Sequence, residues 1–198
     1  KSNLIEKKLY NTDYVLLHCG SCNFLWQKYA PNNEFSYELY ENIIDKDFSF
    51  KKSILKFNNN RKNVEKEFNF LSNYFNSQKI NILDFGAGWG AWLRSINNLQ
   101  SNIFAYELSA SRIKFLKNKG IRTLDEKSIM ECENFFHFIR LDQVLEHLDD
   151  LKQTMEIIKK IAHKNCIIYI SVPNGKKIIN KKNQIKIEKG PIQPLEHL

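Results

Sequence analysis

A doubly wound α/β fold with a mostly parallel sheet is predicted by three features of this 198-residue sequence. Short apolar runs alternate with amphipathic segments between residues 61 and 172, which is the order that builds a parallel sheet with helices on both faces. The first of these runs leads directly into a glycine-rich turn at residues 86–90. The length suits one such domain and a small appendage, since single domains usually have ~100–200 residues.

The appendage is predicted to occupy residues 1–60. Two short apolar patches, at residues 14–17 and 24–26, flank Cys19-Gly20-Ser21-Cys22 and predict two strands joined by a knuckle. A helix is expected over residues 36–45.

A linker and then the main domain are predicted to follow. The asparagine run at residues 58–60 is interpreted as the linker, which assigns residues 61–198 to the domain. Beyond the linker, apolar residues recur at helical spacing and predict one buried stripe, formed by Val64, Phe68, Leu71 and Phe75.

Strands and helices are then predicted to alternate. The expected strands cover residues 80–85, 103–106, 121–124, 135–141 and 166–172. The expected helices cover residues 92–96, 111–119 and 147–163. The last helix is expected to turn five apolar residues inward, namely Leu148, Leu151, Met155, Ile158 and Ala162.

The composition argues against several classes of protein. No apolar run approaches the ~20 residues of a membrane helix, and the N-terminus lacks the features of a secretory signal. The four cysteines are too few and too unevenly spread for a disulfide framework, which favours the reducing cytoplasm. The net charge of +8 comes mostly from scattered lysines. It is interpreted as a solvated basic surface, with an acidic partner as the alternative, because the arginine and aromatic clustering of nucleic-acid readers is absent.

The glycine-rich turn predicts a nucleotide site. A strand that enters such a turn and then a helix brings backbone N–H groups to the carboxyl end of the sheet. Residues 86–91, Gly-Ala-Gly-Trp-Gly-Ala, fit both the dinucleotide pattern G-x-G-x-x-G/A and the shorter G-x-G-x-G. The glycines alone therefore leave an NAD(P)-dependent oxidoreductase open.

Two carboxylates at strand ends bear on the choice of cofactor. Asp84 would repel a pyrophosphate but could accept a charge-assisted hydrogen bond from the ammonium of a methionine moiety. Glu107 could accept hydrogen bonds from ribose hydroxyls, which suits either cofactor. The alternatives are a helix cap for Asp84 and a solvated strand end for Glu107.

Three segments resemble successive motifs of the class I methyltransferases. They are residues 82–90, which contain the glycine turn, residues 106–109, Tyr-Glu-Leu-Ser, and residues 141–148, Leu-Asp-Gln-Val-Leu-Glu-His-Leu. The V-L-E-H-L of the third segment resembles the subgroup that methylates small molecules and is not a feature of nicotinamide enzymes. The resemblance covers residues 61–175 and implies a Rossmann-like fold that binds S-adenosylmethionine.

The resemblance also implies a set of cofactor-binding residues. By position they are Asp84, Gly86, Ala87, Gly88, Glu107, Leu108, Asp125, Asp142 and Gln143. The first four would surround the methionine part, Glu107 would hold the ribose and Leu108 would line the adenine. The loop around Asp125 would lie beside the adenine edge, and the last two would face the cofactor and the substrate entrance.

His147 is the candidate catalytic base. It follows the fourth strand of the predicted sheet, where the methyl group would lie, and histidine titrates near neutrality. The alternative is that Glu146 and His147 only start a helix. His197 is a second candidate base near the C-terminus, and Trp89 and Trp92 are expected either to line the methionine or to pack in the core.

Two positions depart from the family motifs. His137 stands where the family usually has the aspartate of F-D-x-I, and we expect a local effect at the strand start without loss of cofactor binding. Asp149-Asp150 stands where the family has D-P, and it still suits a helix start because acidic groups stabilise the N-terminal end of a helix.

Cys19 and Cys22 have the spacing of a zinc knuckle, but structural zinc needs four ligands and the sequence holds no second C-x-x-C. Residues 14–26 resemble the second half of the N-terminal zinc-binding segment of many sugar methyltransferases. The resemblance implies zinc if the other half of the ribbon exists. A pair without a metal and a redox pair are the alternatives.

The C-terminus departs further from the family, whose sheet continues past the fifth strand with an antiparallel pair. Residues 184–188 could supply one strand, and residues 194–198 resemble the segment that begins the acceptor side in sugar and lipid relatives. The C-terminal strands are therefore expected to be incomplete. The exposed sheet edge would favour a homo-oligomer.

Three functions follow as hypotheses. The first is methylation of a small polar acceptor such as a sugar or nucleotide-sugar, which the resemblance implies for glycan or envelope biosynthesis. The second is a nicotinamide-dependent oxidoreductase, which Asp84 and the Val144–Leu148 segment disfavour. The third is a non-catalytic or RNA-associated module that uses the basic surface.

Overall fold

The computed structural model describes residues 15–29, 33–43, 45–96, 101–148 and 150–175. The strands in this part of the chain are β1 Leu16–His18, β2 Leu25–Gln27, β3 Asn81–Phe85, β4 Asn102–Tyr106, β5 Arg122–Leu124, β6 Phe136–Asp142 and β7 Ala162–Ser171. The α-helices are α1 Asn33–Glu38, α2 Lys46–Tyr74, α3 Ala91–Ile96, α4 Ala110–Asn118, α5 Glu126–Met130 and α6 Leu151–Ile161. A π-helical turn, Leu39–Ile43, follows α1, and a 3-10 turn, Leu145–His147, precedes α6.

The main sheet has the strand order β5-β4-β3-β6-β7, and all of its neighbouring strands are parallel. The predicted doubly wound α/β fold is therefore confirmed. The order of the strands reverses between β3 and β6, and ligands of such sheets bind at the carboxyl ends of the strands beside this reversal. The ends of β3 and β6 therefore locate the candidate site.

Helices cover both faces of the sheet. One layer packs β3, β4 and β6 against α2, α3 and α4, and its buried residues include Ile82, Ala105, Phe138, Leu71, Leu93 and Leu116. The opposite layer packs the sheet against α5 and α6 through residues that include Leu83, Ile139, Leu141, Ile129 and Ile158. Burying each of the large apolar side chains among these contributes roughly 1.5–3 kcal/mol, so the two layers hold the strand ends in fixed positions.

Helix α2 overturns the predicted linker. It runs for 29 residues, straight through residues 58–60, and the predicted domain boundary at residue 60 falls inside it. Asp45 caps its N-terminus by accepting a hydrogen bond from the Phe48 amide at 3.0 Å. Helix propensity is a weak preference, and the packing of the flanking Phe57 and Val64 outweighs the asparagines.

Helix α6 begins later than predicted and buries only part of the predicted stripe. The 3-10 turn takes up residues 145–147, and Asp150 caps α6 by accepting from the Gln153 amide at 2.8 Å. Of the residues predicted to face inward, Leu148, Ile158 and Ala162 pack in the core, whereas Leu151 is 45% exposed and Met155 is also exposed. The buried residues of α6 are Thr154, Ile158 and Ile161.

The predicted hairpin is present at the N-terminal side. Strands β1 and β2 pair antiparallel, with Cys19–Cys22 in the turn between them. The expected strand at residues 184–188 and His197 lie outside the described residues. Strand β7 forms one edge of the described sheet and exposes Ile168, Tyr169 and Ile170. None of the described helices is both long and apolar enough to cross a bilayer.

Candidate functional site

The glycine turn connects the end of β3 to the start of α3. The amides of Gly86 and Ala87 donate to the Tyr106 carbonyl at 2.8 and 3.1 Å, which ties the turn to the end of β4. Gly86 and Gly88 have φ angles of +76° and +57°, a conformation that side chains disfavour. A Cβ on Gly86 would lie 2.7 Å from Cγ2 of Val144, whereas a Cβ on Gly88 would meet nothing within 4 Å. Gly86 is thus packed against protein, and Gly88 faces open space.

Glu107 follows β4 and holds the glycine turn from the side. Its Oε2 accepts from the Gly88 amide at 2.7 Å, and its Oε1 accepts from the amides of Leu108 and Ser109 at 3.0 and 2.9 Å. Nη1 of Arg112 lies 3.7 Å from the same Oε2. An ionised carboxylate has about four acceptor positions, so the three backbone bonds leave one position for a further donor, beside Arg112. The neighbouring Leu108 side chain is 66% exposed.

Arg140 links the two aspartates that the sequence placed at the site. It lies on β6 directly opposite Asp84 of β3, and its Nη1 is 3.4 Å from Asp84 Oδ1. Its Nη2 donates to Asp142 Oδ2 at 2.7 Å. Lys56 of α2 donates to the same Asp142 oxygen at 2.9 Å. Neither Arg140 nor Lys56 was predicted as a site residue, although both contact one.

The two aspartates have opposite pKa shifts. Burial raises the pKa of Asp84 to about 6, because desolvation of the carboxylate outweighs the attraction of Arg140. Burial also disfavours the charged form of Asp142, but the Ser171 hydroxyl and the charges of Arg140 and Lys56 outweigh it and lower the pKa of Asp142 to about 2. The site therefore holds one firmly ionised carboxylate and one that titrates near neutral pH.

Replacing Asp84 with asparagine is expected to change how stability depends on pH. Because the pKa of Asp84 rises from 3.8 to about 6 on folding, the unfolded chain ionises first between these values, and the wild type loses stability as the pH rises. Between pH 4 and pH 7 the loss amounts to roughly 2–2.5 kcal/mol, at ~1.4 kcal/mol per pKa unit, because the unfolded carboxyl is already more than half ionised at pH 4. Urea unfolding at pH 4 and at pH 7 measures this change: the free energy of unfolding of Asp84→Asn, relative to the wild type, should be higher at pH 7 than at pH 4 by this amount.

Asp142→Asn is the control of opposite sign. The pKa of Asp142 falls on folding to about 2, so its stabilisation exists above the unfolded value near 4 and is lost as the pH falls below it. The free energy of unfolding of the wild type should therefore increase relative to that of Asp142→Asn as the pH rises from 2 to 4. Parallel stability curves for the wild type and Asp84→Asn would contradict the buried, titrating Asp84.

Gln143 occupies a strained position just beyond β6. Its φ angle is +59°, and its amide donates to the Ser171 carbonyl at 2.9 Å. Its side-chain Nε2 donates to Ser171 Oγ at 3.2 Å, and the same hydroxyl donates to Asp142 at 2.5 Å. Gln143 is exposed, so the ends of β6 and β7 present a polar surface fixed by hydrogen bonds.

Asp125 and His147 occupy short helical elements near the strand ends. Asp125 caps α5 in a capping box, accepting from the Ser128 amide at 2.8 Å. His147 ends the 3-10 turn after β6, is partly buried, and has its Nε2 3.9 Å from Glu146 Oε1. Asp125 therefore has a structural contact that its spacing in the sequence did not predict.

The two tryptophans of the turn region pack against protein. Trp92 is buried, donates to Glu67 Oε2 at 2.9 Å and lies against Phe138. Trp89 donates to Ser49 Oγ at 3.1 Å and contacts the ring of Phe50 edge-on. Core packing, one of the two expectations for these residues, describes Trp92 well. Trp89 anchors α2 to the turn, and Trp92 anchors it to α3.

His137, the departure from F-D-x-I, acts locally as expected. Its Nδ1 accepts from the Asn81 amide at 3.3 Å, which joins the starts of β6 and β3. Its ring stacks on His163 with the centroids 4.6 Å apart. Burial and the neighbouring His163 lower the pKa of His137, which favours the neutral ring that can accept this bond.

The cysteine knuckle offers two metal ligands. Hydrogen bonds from the backbone of Cys22 and Ser21 lower the pKa of the Cys19 thiol. Among the residues that the structure describes, no group of three or more histidine, cysteine, aspartate or glutamate side chains could hold a metal ion. Tetrahedral zinc needs four ligands, so the described part of the chain does not complete a zinc site.

Comparison with known proteins identifies a family that this chain matches. Residues 57–188 match the profile of a family described as a methyltransferase domain. A search of curated proteins finds no match. Among solved structures, the plantazolicin methyltransferase BpumL, in complex with a monoazolic desmethylPZN analog and SAH, is similar at a TM-score of 0.55 with 17% identity, over 78% of this chain and 63% of that chain.

A second similar structure is the PH0226 protein from Pyrococcus horikoshii OT3. Its TM-score is 0.51 at 12% identity, over 79% of this chain and 73% of that chain. At these identities the two structures support the fold. The chain spans less than two thirds of the length of the plantazolicin enzyme.

Proposed function

This chain belongs to the family of methyltransferase domains, and we propose that it is a class I enzyme that transfers a methyl group from S-adenosylmethionine to a small polar acceptor. The observation that carries the proposal is the arrangement at the strand reversal. There the open glycine turn, the buried Asp84 carboxylate and Glu107 stand at the ends of adjacent strands. A family profile that covers residues 57–188 supports the same chemistry.

The residues present fit S-adenosylmethionine. A ligand can approach the backbone at Gly88, because a side chain there would project into open space. Glu107 keeps an acceptor position for ribose hydroxyls, and the exposed Leu108 offers an apolar surface for adenine. Asp84 would accept from the methionine ammonium. The proposal assigns the methionine part to Asp84, Gly86, Ala87 and Gly88, and the adenosine to Glu107, Leu108 and the loop at Asp125.

The chemistry left to the protein is alignment and proton removal. S-adenosylmethionine supplies an electrophilic methyl group on a sulfonium, which is a good leaving group. The acceptor must be aligned with that methyl group and, if it is a hydroxyl, must lose its proton. Asp142 and Gln143 would line the acceptor entrance, and His147 would take the proton. The proposed acceptor is a sugar or nucleotide-sugar, which transfer of a radiolabelled methyl group to a panel of such compounds would test.

Titration calorimetry with S-adenosylhomocysteine and with NAD tests the choice of cofactor. We expect the chain to bind S-adenosylhomocysteine and not NAD, because the buried Asp84 carboxylate opposes a pyrophosphate. Binding of NAD alone would overturn the proposal in favour of an oxidoreductase. Binding of RNA that weakens steeply with salt, without S-adenosylhomocysteine binding, would favour the RNA-associated module.

Two glycine variants make this experiment specific. Gly88→Ala is expected to weaken binding of S-adenosylhomocysteine by roughly 10–200-fold, the usual effect of one misplaced methyl group in a pocket. Gly120→Ala is the matched control, because both glycines have positive φ angles, of +57° and +74°, and an added Cβ meets nothing within 4 Å at either. Gly120 follows α4, away from the turn. Equal affinity of the two variants would show that the ligand does not approach Gly88.

Three further expectations remain proposals. A zinc ion at Cys19 and Cys22 would need two ligands from outside the described residues. A homo-oligomer would form along β7, whose apolar side chains are exposed. The cytoplasm is the compartment that the free thiols favour.

A further inference from the structure

The positive charge of the chain is concentrated in one of the two helix layers. Helices α2, α3 and α4 contain eleven lysines and arginines but only three aspartates and glutamates. Helices α5 and α6, on the opposite face of the sheet, contain four and two. The first layer alone therefore carries an excess equal to the net charge of +8 of the whole chain. A surface with such a one-sided charge attracts anionic partners.

The outward side of α2 presents part of this charge as a stripe. Four exposed lysines lie within an arc of about 100° around the helix axis, namely Lys51, Lys52, Lys62 and Lys66. No ion pair in the described part of the chain involves these four lysines. Helix α4 lies beside α2, where Phe50 contacts Phe115. It adds the exposed Lys114 and Lys117 to the same face of the molecule.

Apolar side chains stand between the lysines of this stripe. Phe48, Leu55 and Phe70 are each 58–68% exposed, and the helical period places all three within the arc of the lysines. The stripe extends from Phe48 to Phe70 over about 33 Å, at 1.5 Å per residue. The carboxylates of Asp47 and Glu65 lie at its margin, outside the arc. The stripe is therefore both cationic and partly apolar.

This combination distinguishes between the classes of anionic partner. Proteins that bind single-stranded nucleic acid stack bases on successive aromatic rings. Here the apolar side chains stand about two helical turns or more apart, and one of them is aliphatic. Membrane surfaces instead attract lysines through anionic headgroups and take up apolar side chains at the headgroup boundary. Either attraction alone gives weak membrane binding, and the stripe supplies both.

We propose that the outward side of α2 binds the surface of an anionic membrane. The helix lies in the plane of the interface, with its lysines among the lipid phosphates and its three exposed apolar side chains among the headgroups. Helix α2 also contacts the candidate site, through Ser49 at Trp89 and through Lys56 at Asp142. Membrane binding therefore holds the site beside the lipid surface. This surface goes beyond the proposed function and does not depend on the identity of the methyl donor.

Co-sedimentation with lipid vesicles tests this inference. We expect the chain to bind vesicles of phosphatidylcholine and phosphatidylglycerol in equal parts, to bind poorly to phosphatidylcholine alone, and to be released by salt. The double variant Lys62→Gln with Lys66→Gln is expected to bind the mixed vesicles about 10–30-fold more weakly, at ~5-fold per lysine. Phe70→Ser is expected to weaken binding by about 3–10-fold, because it removes one inserted side chain.

Helix α6 provides matched controls on the opposite face of the sheet. Lys159→Gln with Lys160→Gln removes the same charge, and Leu151→Ser removes an exposed apolar side chain. Both are expected to bind mixed vesicles like the wild type, because charges more than about 10 Å from the lipid surface are screened. All of the substituted residues are exposed. Unfolding temperatures should therefore match the wild type and verify that each variant is folded.

Three outcomes would overturn the inference. Equal losses for the two lysine pairs would mean that vesicles respond to net charge and not to the stripe. Unchanged binding of Phe70→Ser would exclude insertion of the apolar side chains. Failure to bind mixed vesicles, together with salt-sensitive binding of RNA that the Lys62 and Lys66 substitutions weaken, would assign the stripe to nucleic acid.

Discussion

Replacing Arg140 with methionine is expected to lower the free energy of unfolding by about 3–5 kcal/mol at pH 7, the usual cost of removing one partner from a buried ion pair. The guanidinium faces Asp84 at 3.4 Å and Asp142 at 2.7 Å, with only 11% of its side chain exposed. Without it, the buried Asp84 carboxylate loses its ion pair, whereas Asp142 keeps its contacts with Lys56 and the Ser171 hydroxyl. Urea unfolding monitored by circular dichroism measures the loss.

Two further variants decide whether this loss is electrostatic. Arg122→Met removes an exposed arginine that lies over the Phe104 ring, and it should cost about 0.5–1 kcal/mol. Adding Asp84→Asn and Asp142→Asn to Arg140→Met should recover much of the stability, because no buried charge is then left unpaired. Equal losses of unfolding free energy in Arg140→Met and Arg122→Met would contradict the prediction, because they would mean that Arg140 is no more buried or paired than the exposed Arg122.

Arg140 also shows where sequence reasoning stops. The segment at residues 135–141 was predicted as an apolar strand. Arg140 is the one arginine within it, and it belongs to none of the motifs from which the site was predicted. The contact between Arg140 and Asp84 depends on the register of β3 and β6, because the pairing of these two residues puts both side chains on the face of the sheet covered by α2. Side chains alternate along a strand, so a shift of one residue would have separated them. Pairing register between distant strands is not readable from one sequence.

The fold itself was predictable because glycines mark turns and the spacing of apolar residues distinguishes strands from helices. Every strand of the main sheet lies within two residues of its predicted start, except β7, which begins earlier, at Ala162. The errors fall where local signals are weak. The asparagines at residues 58–60 suggested a linker, but α2 continues through them because its apolar side chains pack on the sheet and α3.

The residues predicted for the site lie at the ends of the expected strands, but their contacts were not predictable. Glu107 binds three backbone amides, and Asp125 caps α5, because each directly follows a strand and lies close to the start of a helix, where N–H groups are within reach. Such bonds depend on local backbone geometry, which motifs do not encode. The sequence therefore located the carboxylates, and the structure shows which of their oxygens are already used.

His147→Ala is expected to lower the rate of methyl transfer by about 10²–10⁴-fold, the usual contribution of a general base, and to leave the affinity for S-adenosylhomocysteine unchanged. His147 follows the carboxyl end of β6, where the acceptor would lie. The control is His163→Ala, because His163 lies near the start of β7, at the opposite end of the sheet, and stacks on His137. Transfer of a radiolabelled methyl group to an acceptor from the sugar panel gives the rate.

The combination of rate and affinity decides the role of His147. A base acts on the acceptor, so its removal changes turnover and spares cofactor binding. If His147 served only as the end of the 3-10 turn, its replacement would disturb the end of β6 and with it Asp142 and Gln143. Cofactor affinity would then fall together with the rate. A loss of affinity equal to the loss of rate would therefore assign His147 to the structure of the turn, and an unchanged rate would exclude it as the base.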